Sequence, residues 1–141
     1  MDAVTQRHPA AQWALPALVA GGAALSCAVL ALVDPNERGN YPLCPFLALT
    51  GKWCPGCGSL RGVRALLYGD PVAAVSLNPL MVLAIPYVLY TYLAWASERV
   101  GGPVLRRICL PATAIWRLLA LVGAFWVARN IPAAPFSWLA P

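Results

Sequence analysis

A run of about 21 residues from Trp13 to Val33 carries no charged side chain, the length a helix needs to cross a bilayer's hydrocarbon layer of roughly 30 Å. In lipid a backbone must satisfy its own polar groups, so such a run folds as a helix unless a large protein core encloses it. This chain has only 141 residues, 60% of them hydrophobic and 11% charged, where a soluble domain carries roughly 25% charged residues. A water-soluble globule of that size buries too little of its chain to hide so much apolar surface. The run is read as a retained span. It is longer than the apolar region of a typical signal peptide, its flank carries only Arg7 and His8, and no A-x-A site closes it. Pro16 falls near its start, where a missing amide costs little, and Asp34-Pro35-Asn36 ends it as a turn.

A second span is expected over 79–96. It opens at Asn78-Pro79, with Asn as cap and Pro at the first helical position, carries Pro86 as a kink, and closes at Glu98-Arg99 and Gly101-Gly102-Pro103. A third is expected over 113–131, interrupted by Arg117 and Arg129, both read as snorkelling to opposite headgroup layers; the competing reading makes Arg117 a buried ion-pair partner. With three spans, Trp13, Trp95 and Trp116 fall on one membrane face and Trp53, Trp126 and Trp138 on or near the other, giving two aromatic belts. The fold class is therefore an all-α membrane protein of about three transmembrane helices, one membrane domain over residues 1–141, with a cysteine loop and short helices over 34–78 between the first two spans.

The net charge of +5 comes almost entirely from scattered arginines. They form no basic tract, which excludes a nucleic-acid partner and leaves the lipid bilayer as the expected one. Arg7, Arg99, Arg106, Arg107 and Arg117 fall on one face, and Arg38, Lys52, Arg61, Arg64 and Arg129 on the other. The even split is broken by Arg99, Arg106 and Arg107 in one short loop, which favours a multi-pass cell-membrane protein with its N-terminus in the cytoplasm.

The connection from Val33 to Asn78, about 45 residues, is long enough to need a purpose. It holds Cys44-Pro45, Thr50-Gly51 and Cys54-Pro55-Gly56-Cys57-Gly58. Two short helices follow: Ser59 to Tyr68, with Ser59 as cap and Gly69 as stop, and Pro71 to Leu77, capped by Asp70. Both are too short to span and are placed at the interface or as re-entrant pieces. Arg61 and Arg64 share a face. Two roles stand open for Arg61, headgroup contact or a tie from the cysteine turn to Asp70 or to backbone carbonyls.

The C-P-x-C-G turn has the form of a rubredoxin or zinc-ribbon knuckle, in which two thiolates converge on one metal. Cys44 offers a third sulfur, so Cys44, Cys54 and Cys57 are the candidate ligands, for zinc or iron. A fourth is missing: His8 lies across the membrane, and Cys27 and Cys109 look like packing residues. Two other chemistries remain open. Cys54 and Cys57 form a C-x-x-C pair before a helix N-terminus, which favours thiolate chemistry, though the βαβ setting of a thioredoxin is absent. Cys44 could instead pair with Cys54 or Cys57 in a structural disulfide.

From Pro42 to Pro79 the sequence resembles a family of small, uncharacterised bacterial membrane proteins defined as a domain of unknown function. The residues that carry the likeness are Cys44-Pro45, Thr50-Gly51, Cys54-Pro55-Gly56-Cys57-Gly58, Arg61, Gly69-Asp70, Ala74 and Asn78-Pro79. The alanine often found after the arginine is Gly62 here. The resemblance implies a membrane location and a shared loop architecture, and no activity.

The chain shows no nucleophile-base pair, carboxylate pair or phosphate-binding glycine loop. It is therefore read as a non-enzymatic membrane protein whose loop is a structural or metal-binding element, serving as a membrane subunit, partner-binding module or homo-oligomer. Structural roles in the loop fall to Thr50, Gly51, Gly56, Gly58, Arg61, Asp70 and Asn78. The alternative is a membrane thiol-disulfide oxidoreductase using Cys54 and Cys57; a channel or transporter subunit ranks last.

Overall fold

The computed structural model describes residues 9–37, 39–106, 108, 111–133 and 136–140. The expectations placed on Arg7, His8, Arg38, Arg107, Cys109 and the side chain of Trp138 lie outside the described residues. Within them there are six α-helices and no strand: α1 (Pro9–Leu32), α2 (Pro45–Thr50), α3 (Ser59–Leu67), α4 (Pro71–Leu77), α5 (Pro79–Arg99) and α6 (Ala112–Ala128). A single 3-10 turn follows at Phe136–Leu139.

Two of these helices, α1 and α5, are long and apolar enough to cross a membrane. Only 11% of the apolar window of α1 and 6% of that of α5 is buried, whereas the core helix of a soluble protein would be mostly enclosed. The third apolar helix, α6, is short at 17 residues, or about 26 Å at 1.5 Å per residue. Helix α1 starts earlier than expected, so Pro16 lies inside it and not near its start. Its carbonyl oxygen accepts a hydrogen bond from the Tyr92 hydroxyl at 2.9 Å, joining α1 to α5.

Between α1 and α5 the structure has three short helices where two were expected. The additional one is α2. Pro45 stands at its N-terminus, and Gly51 ends it in the left-handed conformation at φ 67°, its amide bonded to the carbonyl of Leu47. The Thr50 hydroxyl donates back to the carbonyl of Phe46 at 2.7 Å. Helix α3 also begins differently from the sequence expectation. Its N-cap is Gly58, at φ 85°, while Ser59 is already helical and caps nothing. The two asparagine and aspartate caps stand as read: Asp70 accepts from the Ala73 amide at 2.8 Å, and Asn78 from the Met81 amide at 3.1 Å.

The short helices pack where the long ones end. Helices α3 and α4 form the closest pair, with α3 against α1 and α4 against α5. Arg64 in α3 donates to the carbonyls of Leu30 and Ala31 at 2.6 and 2.9 Å, satisfying two of the carbonyls that the end of α1 leaves without a helical partner. Tyr68 adds a bond to Ala31 at 2.9 Å, and Asp34 lies 3.5 Å from the same guanidinium. Among the described residues the apolar interior is slight: Leu30, Cys57, Ala74, Ala94 and Leu139. The two largest fully buried side chains are polar, Arg129 and Asn78. Both converge on the cysteine turn.

Candidate metal centre

Cys54 and Cys57 are brought together by a tight turn, in which the Cys57 amide donates to the Cys54 carbonyl at 3.1 Å. The Cys54 amide donates to Cys57 Sγ at 3.3 Å, and the two sulfurs stand 3.0 Å apart. Gly58 turns the chain from this knuckle into α3. Its positive φ is a conformation that strains any residue with a Cβ. Gly56, within the turn, does not have a positive φ. Cys44 arrives from the N-terminus of α2 and places its sulfur 3.6 Å from that of Cys54. All three sulfurs lie within 4.8 Å of one another and could hold a metal ion.

That spacing suits a single ion. Zinc–sulfur bonds of about 2.3 Å in a tetrahedron put neighbouring sulfurs roughly 3.8 Å apart. The Cys54–Cys57 separation would open slightly to meet it. Cys27, by contrast, lies within α1 and outside the cluster.

Cys44 and Cys57 differ in character. Backbone amide bonding from Leu47 holds Cys44 below the ordinary thiol value of 9.0, with Cys54 contributing in the same direction. Burial pushes the Cys57 thiol up to about 12, helped by its hydrogen bond with Cys54.

Three side chains from elsewhere clamp the turn. Asn78, 1% exposed, donates its amide to the carbonyl of Pro55 at 2.9 Å, to that of Cys57 at 3.4 Å and to the Ser59 hydroxyl at 3.0 Å. The residue that starts α5 thus also holds the knuckle. Arg129, at the end of α6, donates from Nη1 to the carbonyls of Cys54 and Pro55 and from Nη2 to that of Leu77, each at 3.3 Å. Asn130 pairs with the backbone of Trp53 on both its amide and its carbonyl, each at 2.9 Å. An edge-to-face contact of Phe46 with Trp126, centroids 5.6 Å apart, sets α2 against α6.

This corrects the sequence reading of the arginines. Arg129 does not snorkel to a headgroup layer; it is 1% exposed and turned inward. Arg117 is exposed on α6 and is no buried ion-pair partner. Nor does Arg61 reach Asp70, whose carboxylate caps α4; among the described residues the ion pair is Arg64 with Asp34. Sequence reasoning missed Arg129 and Asn130 as site residues. Their signal was their position directly after an apolar helix, which in lipid demands an acceptor for each buried donor.

Residues 44–92 match the family model described as Protein of unknown function (DUF2752). The matched stretch contains all three cluster cysteines, α3, α4 and most of α5. No curated protein and no solved structure matches the chain.

Proposed function

We propose that the chain is a multi-pass membrane protein of three spans, forming one membrane domain. In this reading its Cys44, Cys54 and Cys57 loop is a structural metal site, for zinc or iron, within a subunit or partner-binding module. The observation that carries this reading is the convergence of three sulfurs within 4.8 Å from two separate chain segments. A turn that only needed a shape would have no reason to bring Cys44 to the same point.

The position of the clamps supports the third crossing. The knuckle touches the start of α5 through Asn78 and the end of α6 through Arg129 and Asn130, while α3 grips the end of α1 through Arg64. Three helix ends therefore lie at one level. Helix α6, at about 26 Å, would reach that level from the opposite side, its length falling only slightly short of the hydrocarbon thickness. On the basic loop holding Arg99 and Arg106, this topology puts the N-terminus in the cytoplasm and the cysteines outside it.

Elemental analysis of the purified full-length protein tests the site. About one zinc or iron per chain is expected, falling in Cys44→Ser, Cys54→Ser and Cys57→Ser variants. Absence of metal together with a Cys54–Cys57 disulfide that cycles under reductant and oxidant would instead support the thiol-disulfide oxidoreductase. The 3.0 Å sulfur separation gives that second reading its footing.

A further inference from the structure

Arg129 is a buried cation with no carboxylate partner among the described residues. It is 1% exposed, and among the described residues the ion pair in the molecule joins Arg64 to Asp34 instead. Arg129 donates to the neutral carbonyls of Cys54, Pro55 and Leu77, and its guanidinium lies 5.0 Å from the centroid of the Phe125 ring, a contact that carries no full negative charge. Its Nε is a buried nitrogen with no hydrogen-bond partner among the described residues. Guanidinium groups stay protonated, and an uncompensated buried charge is costly. A negative charge beside it offsets that cost, and the residues of the turn it holds, Cys54 and Cys57, are placed to supply one, with Arg61 of the same sign also nearby. Arg61 is partly exposed and shielded by solvent.

We infer that Arg129 is the counter-cation of an anionic three-thiolate centre, which selects a divalent ion with a neutral fourth ligand. The inference rests on the metal-site reading above. When the ion binds, three S–H bonds break, three metal–sulfur bonds form and three protons leave to solvent. Three thiolates and a divalent cation sum to −1, which the guanidinium cancels. A trivalent ion would leave the site neutral and Arg129 unpaired, and a cuprous ion would leave it at −2. A fourth thiolate would also give −2. The fourth position is thus suited to water or to a neutral oxygen or nitrogen donor. Arg129 acts here as a positioning and charge-balancing residue, holding the knuckle carbonyls while it offsets the thiolates.

The test is Zn2+ affinity of the full-length protein in detergent micelles, by competition with a chromophoric chelator. Arg129→Met should weaken binding about 10- to 100-fold, as loss of an outer-shell partner does, while Arg129→Lys keeps most of it. Cys44→His replaces one thiolate by a neutral ligand, so adding Arg129→Met to it should change affinity by no more than about twofold, the scatter of non-interacting sites. An equal loss in both backgrounds would make Arg129 a packing residue and overturn the charge assignment. An unaltered affinity in Arg129→Met would do the same while leaving the metal site standing. Wild-type protein that binds no Zn2+ overturns both. Proton release on binding in mildly acidic solution needs no variant and tests the three-thiolate count on which the assignment depends, even if Arg129→Met fails to fold. Three protons per ion support the centre, and two overturn it.

Discussion

Asn130 grips Trp53 by both backbone groups: its amide donates to the Trp53 carbonyl and its carbonyl oxygen accepts from the Trp53 amide, each at 2.9 Å. The contact joins the end of α6 to the residue just before the knuckle. At about 1 kcal/mol net for each hydrogen bond, Asn130→Ala should cost about 2 kcal/mol. Thermal unfolding in lipid nanodiscs checks it, and an unchanged midpoint would show that α6 docks without this pair.

Asn78 has two duties that substitutions can separate. Asn78→Ala removes both the cap of α5 and the donor to Pro55, Cys57 and Ser59, leaving the Pro55 carbonyl to Arg129 alone, for a loss of about 2–4 kcal/mol. Asn78→Asp keeps a good cap but turns a carboxylate toward those carbonyls. It should be at least as destabilising as Asn78→Ala. If Asn78→Asp matched the wild-type midpoint, the cap alone would account for the residue.

Two glycines should respond differently. Gly58→Ala forces a Cβ into the left-handed region at φ 85° and should cost about 1–2 kcal/mol. Gly62→Ala places a Cβ 2.5 Å from the Met81 methyl, which is the movable end of a flexible side chain. Gly62→Ala also gains up to about 1 kcal/mol of helix propensity, so its midpoint should stay near the wild type.

Alkylation of the metal-free protein should follow the electrostatics of Cys44 and Cys57. Cys44, held below 9.0 by backbone amides, should react with maleimide near neutral pH before Cys57, which is pushed up to about 12. Because the folded pKa of Cys57 is raised, its contribution to stability is complete below 9.0 and is lost as pH rises from 9.0 toward about 12. Mass-resolved labelling across that window checks both statements. Equal rates for the two thiols at neutral pH would contradict them.

Metal removal should loosen the same region. A ligand that binds only the folded state stabilises it by about 4 kcal/mol at a thousand times its dissociation constant. Chelation should therefore lower the unfolding midpoint and expose Cys44 and Cys54 to alkylation. A midpoint indifferent to chelator in protein shown to contain metal would mean that the ion does not hold the loop.

Much of this architecture is written locally. Apolar run length sets α1 and α5 as helices long and apolar enough to cross a membrane. Asp70-Pro71 and Asn78-Pro79 start α4 and α5, because a cap and a preset φ act within one turn. Cys54 and Cys57 meet because the turn between them closes on itself. What only the tertiary structure decided is the company these residues keep. Arg64, not Arg61, closes α1, and Arg129 faces the cysteine turn instead of the headgroups. Cys44 joins the other two sulfurs. Arginine at the end of an apolar helix satisfies local rules equally well pointing outward or inward. The choice is made by backbone carbonyls of Cys54 and Pro55, some 75 and 74 residues away, and carbonyls are carried by every residue, so no side-chain pattern announces them.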